Sequence, residues 1–294
     1  MLSIVRGCTL FGVTGSIIEV EVDFDPRATL PKFHIVGLPD TTVRESEKRV
    51  TTAIRNSGSQ FPQKKYVINL YPASSPKNGT SLDLAMAVGV LGATNQAPPE
   101  KIEGAVFIGE LSLDGSVRPV GGILPMVYQA VQSGFKTAYV PIENAKEAAL
   151  AQGITIYPVE SLGVLIEHFY EMKPIEPHPN DLTQSLDEYV ITVITDFADI
   201  RGQESVKRAM EVAVAGGHNI LLTGPPGSGK SLISRAAMGI LPKLTIEEAL
   251  EITQIYSAAD KVDKANPLIR TRPFRAPHHT TSSPALVGGT ALLK

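Results

Sequence analysis

Eight residues, GPPGSGKS at 224–231, constrain the local fold more tightly than any other stretch of the chain. They satisfy G-x-x-x-x-G-K-[ST] at every position. The apolar run Ile220-Leu221-Leu222 precedes them, and Leu232 to Leu241 reads as a helix, so the expected unit is strand, loop, helix. Gly224, Gly227 and Gly229 permit the backbone angles that turn successive amide N–H groups toward one point. The helix N-terminus adds partial positive charge at that point. A loop of this kind cradles phosphate. Lys230 is placed to reach the β- and γ-phosphates of ATP, and the hydroxyl of Ser231 is a hard oxygen suited to Mg2+. The expected cofactors are ATP and Mg2+, held by Gly224, Pro225, Pro226, Gly227, Ser228, Gly229, Lys230 and Ser231.

A nucleotide-hydrolysing fold also needs an acid at the end of a second apolar strand, to hold magnesium and orient water. No run of four apolar residues ending in Asp follows Ser231. The chain is therefore expected to stop inside the nucleotide fold, before its Walker B strand, and to be inactive as an ATPase by itself.

The preceding part reads as a separate α/β domain. Ile17 to Phe24 alternates as a strand does, and Asp40 to Ser57 reads as a helix burying Val43, Val50, Ala53 and Ile54, with Gly58 as its stop. Tyr66 to Tyr71, Val106 to Ile108, Thr137 to Val140 and Ile154 to Tyr157 are predicted strands. Ser81 to Ala93, Ile123 to Ser133, a stretch after Asn144 and Leu162 to Tyr170 are predicted helices. Residues 171–188 carry three prolines within six positions (Pro174, Pro177, Pro179) and five acids against one lysine, the composition of a linker. The division is 1–172, a linker at 173–188, and 189–294, where Glu204 to Gly216 is a further predicted helix.

Composition narrows the setting. Cys8 is the single cysteine, which rules out an intrachain disulfide or a cysteine-based zinc site. The N-terminus lacks the pattern of a signal peptide, and the most apolar run, Leu82 to Ala93, is far shorter than the ~20 residues that span a bilayer. A cytoplasmic protein without a membrane partner is expected. Net charge is −3, but residues 196–294 hold 12 basic and 9 acidic side chains. From Lys264 onward there are Lys264, Arg270, Arg272, Arg275 and Lys294 and no acid. Such asymmetry fits a polyanion as partner or, equally, a solvated segment that finds its acids elsewhere in the fold. Adjacent side chains such as His278 and His279 diverge on regular backbone, so the pair is not expected to share a metal.

Two stretches, DFADIRGQESVKRAMEVAVAGGHNILLTGPPGSGKS at 196–231 and RPFRAPHHTTSSPALVGG at 272–289, resemble the magnesium-chelatase-like AAA+ ATPases. That resemblance places Ile200 and Gln203 beside the adenine. PKNGTSLDLAMA at 76–87 and the stretch 109–147 resemble the proteolytic domain of Lon. Ser81 stands at the position of Lon's catalytic serine, while Leu124 stands where Lon keeps its lysine. An unassisted hydroxyl is a poor nucleophile, so Ser81 is expected to be a helix N-cap and the domain non-proteolytic unless another base such as Lys77 serves. A Lon-like domain ahead of a chelatase-like ATPase is the arrangement of the ComM (YifB) proteins. It implies a hexameric ATP-driven motor for branch migration of recombining DNA in natural transformation, with Arg270, Arg272 and Arg275 as candidate phosphate contacts. A Lon-like ATP-dependent serine peptidase and a chelatase-type accessory motor are the alternatives.

Overall fold

The computed structural model describes residues 1–180 and 195–287. The remainder of the linker (181–188), the expected start of the second part at 189, Gly288-Gly289 of the stretch 272–289 and Lys294 lie outside the described residues. Among the described residues, one compact unit comprises 1–180 with 251–268, and the other 195–250 with 269–287. The segment 251–268 thus packs with the first unit, although it lies in the second part of the sequence division.

The first unit is a seven-stranded mixed sheet. Its strands are β1 (Leu2–Phe11), β2 (Thr14–Asp25), β3 (Lys32–Val36), β4 (Lys65–Tyr71), β5 (Ala105–Phe107), β8 (Thr137–Pro141) and β9 (Thr155–Val159), in the order β3-β4-β2-β1-β5-β8-β9. A separate two-stranded ribbon joins β6 (Glu110–Leu111) to β7 (Val117–Arg118). The pairs β1–β2 and β2–β4 are antiparallel; β1–β5, β3–β4, β5–β8 and β8–β9 are parallel. The helices are α1 (Thr41–Asn56), α2 (Asp83–Ala93), α3 (Pro99–Ile102), α4 (Ile123–Gln132), α5 (Ala145–Ala148) and α6 (Leu162–Phe169).

Alternation along the strands decides which helix covers which face. Val5 of β1 and Val22 of β2 meet α2 at Gly89, whereas Gly15 of β2 lies directly against Pro125 and Met126 of α4. The helices α2 and α4 therefore lie on opposite faces. Every residue of α2 is buried, so it is apolar all round except for Asp83. In α1 the Asp40 side chain accepts the Val43 amide at 2.7 Å, and Val43, Ser46, Val50, Ala53 and Ile54 are buried.

The second unit contains α7 (Glu204–Gly216), α8 (Lys230–Ile240), the beginning of α9 (Ile246–Ala258) and α10 (Ser283–Val287). Ile200, Met210, Ile233 and Ala236 form its buried cluster, with Phe197, Val206, Val214 and Leu222 packed on it. The expected strand Ile220 to Leu222 is not a strand here. A strand exists only through hydrogen bonds to a neighbour, and none of the described residues pairs with this run, which leaves Leu221 87% exposed.

Candidate functional site

The glycine-rich loop 224–231 is assembled from its two flanking helices. Gly217, at φ 62°, ends α7, and the His218 amide returns to the Ala213 carbonyl at 2.8 Å. The chain then runs without regular structure to Gly224. Gly227 and Gly229 have φ of 81° and 88°, conformations that favour glycine. Gly229 is the N-cap of α8 and brings no side chain to that helix end. The first amide N–H groups of α8 thus meet no competing side-chain cap. Ser231 lies exposed in the first turn.

Lys230 closes the cradle on itself. Its ammonium donates to the carbonyls of Gly224 at 2.9 Å and Pro225 at 2.7 Å, and to the Ser228 hydroxyl at 3.3 Å. A flexible point charge held by three loop oxygens is one that an anion entering the loop can draw away. Ile200 is buried against Met210 and Ile233. Gln203 is exposed at φ 61°, where it begins α7.

The basic stretch finds acids in both units. Lys264 pairs with Glu143 at 2.9 Å in the first unit. Arg272 forks onto both oxygens of Glu248 at 3.0 and 2.8 Å, and its Nε donates to the Pro242 carbonyl at 3.0 Å. The Thr245 amide and Arg272 hold the Glu248 carboxyl below the ordinary range. Arg270 and Arg275 are also engaged with neighbours. His278 and His279 depart from the expected divergence. Their ring centroids lie 4.1 Å apart, and His278 Nδ1 sits 2.7 Å from the Thr280 hydroxyl. The backbone there is irregular, so the helix and strand angles do not apply. No group of three metal-ligating side chains exists among the described residues.

In the first unit, Ser81 is not the N-cap of α2. Leu82 occupies that place without a side-chain bond, and the Ser81 hydroxyl donates to the Cys8 carbonyl at 2.9 Å. Lys77 is fully buried, its ammonium donating to the carbonyls of Pro72 and Ser75. Burial also pushes its pKa down. Leu124 is buried, and its amide points at Glu147 at 3.4 Å. No base accepts from Ser81. Beside it, Thr80 donates to Glu110 at 2.5 Å in a cleft of about 230 Å³ that also takes in Asn78, Val120 and Gly121. Nothing in the sequence marks Glu110 as Thr80's partner, because the two are joined only by folding.

Comparison with known proteins now decides the family. Residues 20–144 match the family model "Subunit ChlI of Mg-chelatase", and 196–294 match "Magnesium chelatase, subunit ChlI". The chain is 40% identical to YifB of Escherichia coli over 294 residues, covering 99% of this chain and 56% of that protein. It is 34% identical to competence protein ComM of Haemophilus influenzae, covering 100% and 57% respectively. The chain belongs to the magnesium-chelatase-like proteins of the ComM/YifB type. It spans a little over half the length of these relatives. Lon protease 2 of Bacillus subtilis is 29% identical over 195 residues, 60% of this chain and 35% of the protease. The magnesium-chelatase-like chain thus combines a Lon-like α/β unit with part of an AAA+ module. Among the described residues no helix is long and apolar enough to cross a membrane.

Proposed function

We propose that residues 224–231 bind ATP with Mg2+ and that the chain supplies the phosphate-binding half of an ATPase motor. The observation that carries this reading is the loop itself: left-handed glycines, a helix start without a side-chain cap, and an ammonium parked on loop oxygens. The donor set fits a polyphosphate. Gly227 to Lys230 offer backbone amides, Lys230 offers charge, and Ser231 offers a hydroxyl oxygen to the metal. Bound magnesium would supply charge neutralisation across the terminal phosphates. Fluorescent ATP analogue binding with and without Mg2+ tests the assignment. Wild-type affinity should rise with Mg2+, and Ser231→Ala should lose that increment while keeping Mg2+-free binding. Equal Mg2+ responses in the two would remove Ser231 from the site.

We further propose that the intact protein is a cytoplasmic homo-oligomer, hexameric by family resemblance, that works on DNA. The net positive charge of 196–294 supports a polyanionic partner, and the lone buried Cys8 suits a reducing compartment. Exposed Arg44, Lys48 and Arg55 on α1 add a second basic face, with Arg55 lying 5.4 Å over the Phe61 ring. A peptidase is disfavoured, because the Ser81 hydroxyl meets a carbonyl rather than a base.

A further inference from the structure

The first residues of the proline-rich segment are fastened down. Residues 173–180 lie on the first unit as a strap with three attachments. Near the start, the Ile175 amide donates to His168 Nδ1 at 2.9 Å, and the Ile175 side chain packs on the main core. In the middle, the His178 amide donates to the Ile156 carbonyl at 2.8 Å, on the outer strand β9 of the sheet. At the end, Asn180 Nδ2 donates to the carbonyls of Ala151 and Ile154 at 3.4 and 3.3 Å. Its Oδ1 accepts from Gln152 at 3.3 Å. Pro174, Pro177 and Pro179 favour the extended backbone such a strap needs and add no N–H group that would go unpaired.

The first attachment carries an acid–base condition. A backbone amide can only donate, so Nδ1 of His168 must be bare and the ring neutral, with its proton on Nε2. Nε2 faces the Tyr139 hydroxyl at 3.3 Å. The ring is packed among Tyr139 of β8, Tyr157 of β9 and Phe169 of α6. Two charged groups act on it, Lys101 from α3 and Glu171 just beyond α6, and they pair with each other at 3.0 Å. Burial first, and Lys101 second, push the pKa of His168 down, while Glu171 opposes them.

We propose that His168 is a protonation-sensitive latch: neutral, it fastens the strap 173–180 over the edge of β9, and protonated, it lets the strap go. A proton on Nδ1 would set N–H against N–H and leave a cation among three aromatic rings. Release would uncover the Ile156 carbonyl on the outer edge of β9. The docked form holds one proton fewer than the released form. Docking is therefore complete at neutral pH and weakens as pH falls below about 6.5, the ordinary histidine value.

Amide hydrogen exchange on the intact 294-residue chain, normalised for the intrinsic pH dependence, reads the latch directly. Protection at Ile175 and His178 should fall by up to about tenfold per pH unit below ~6.5 in the wild type. In His168→Asn, the Oδ1 replaces Nδ1 as an acceptor that does not titrate, and protection at pH 5 should match that at pH 7.5. His168→Ala should lose protection at both. Nitrogen NMR of the wild-type imidazole gives an independent reading and should show the Nε2-protonated tautomer at pH 7.5. Flat wild-type protection from pH 7.5 to 5, or an Nδ1-protonated ring at pH 7.5, would overturn the proposal.

Discussion

Asp83 is a carboxyl buried inside the first unit. Its side chain is 0% exposed, yet it accepts from Arg49 Nε at 2.6 Å, Ser46 Oγ at 2.5 Å and the Leu111 amide at 3.3 Å. These contacts tie α1, α2 and β6 together. Asp83→Ala would leave the Arg49 guanidinium without its partner and should cost about 3–5 kcal/mol in urea unfolding. Asp83→Leu combined with Arg49→Met should recover most of that loss. A single variant losing under ~1 kcal/mol would mean the pair is bystander chemistry. Burial raises the pKa of Glu147, as it does that of Asp83, against opposing hydrogen bonds that for Glu147 include one from the Leu124 amide. A carboxyl whose folded pKa lies above its unfolded value favours folding below the unfolded pKa, and that advantage is lost as pH rises through the folded pKa. Glu147→Gln should therefore melt above the wild type at pH 7.5 and show no advantage near pH 4. Parallel melting curves across that range would contradict the assignment.

At the scale of elements, legibility followed periodicity. The face of α1 was readable because Val43, Val50, Ala53 and Ile54 recur at helical spacing, and they are buried as expected. The turn at 224–229 is legible because the left-handed angles of Gly227 and Gly229 favour glycine at those places. By contrast, α9 has no legible apolar face: its buried positions include Ala249, Thr253 and Ser257, small or polar at four-residue intervals, so hydrophobic patterning is silent. The strand β3 is not legible because its five residues, none of them fully buried, carry too little pattern. Ser81 is not a cap because its hydroxyl finds the Cys8 carbonyl 73 positions away, a tertiary partner that local sequence does not encode. The seam between α4 and β2 shows how such facts constrain sequence. A Cβ on Gly15 would lie 2.6 Å from the Pro125 carbonyl oxygen and 2.7 Å from Met126 Cα. Both are backbone, so Gly15→Val should displace α4 and cost about 1–3 kcal/mol in chemical denaturation.

At the scale of the whole molecule, the intact protein is the right object for the DNA proposal. A phosphate-tracking surface binds without sequence preference, and its affinity falls with salt at a slope of roughly −0.7 to −0.9 per phosphate neutralised. Arg272 already spends its fork on Glu248, so Arg272→Ala should disturb the second unit and barely change that slope. Replacing Arg270 and Arg275 should flatten it by about one unit each if they meet phosphate. An unchanged slope would assign both arginines to the fold or to a subunit interface. The central claim is nucleotide binding at the loop, and calorimetric titration of Mg–ATP into the wild type and Lys230→Ala tests it most directly. The wild type should bind and the variant should show no measurable tight binding, with thermal melts in the absence of nucleotide unchanged, since among the described residues the Lys230 ammonium hydrogen-bonds within its own loop. Equal affinities for the two proteins would contradict the assignment of 224–231 as the phosphate site.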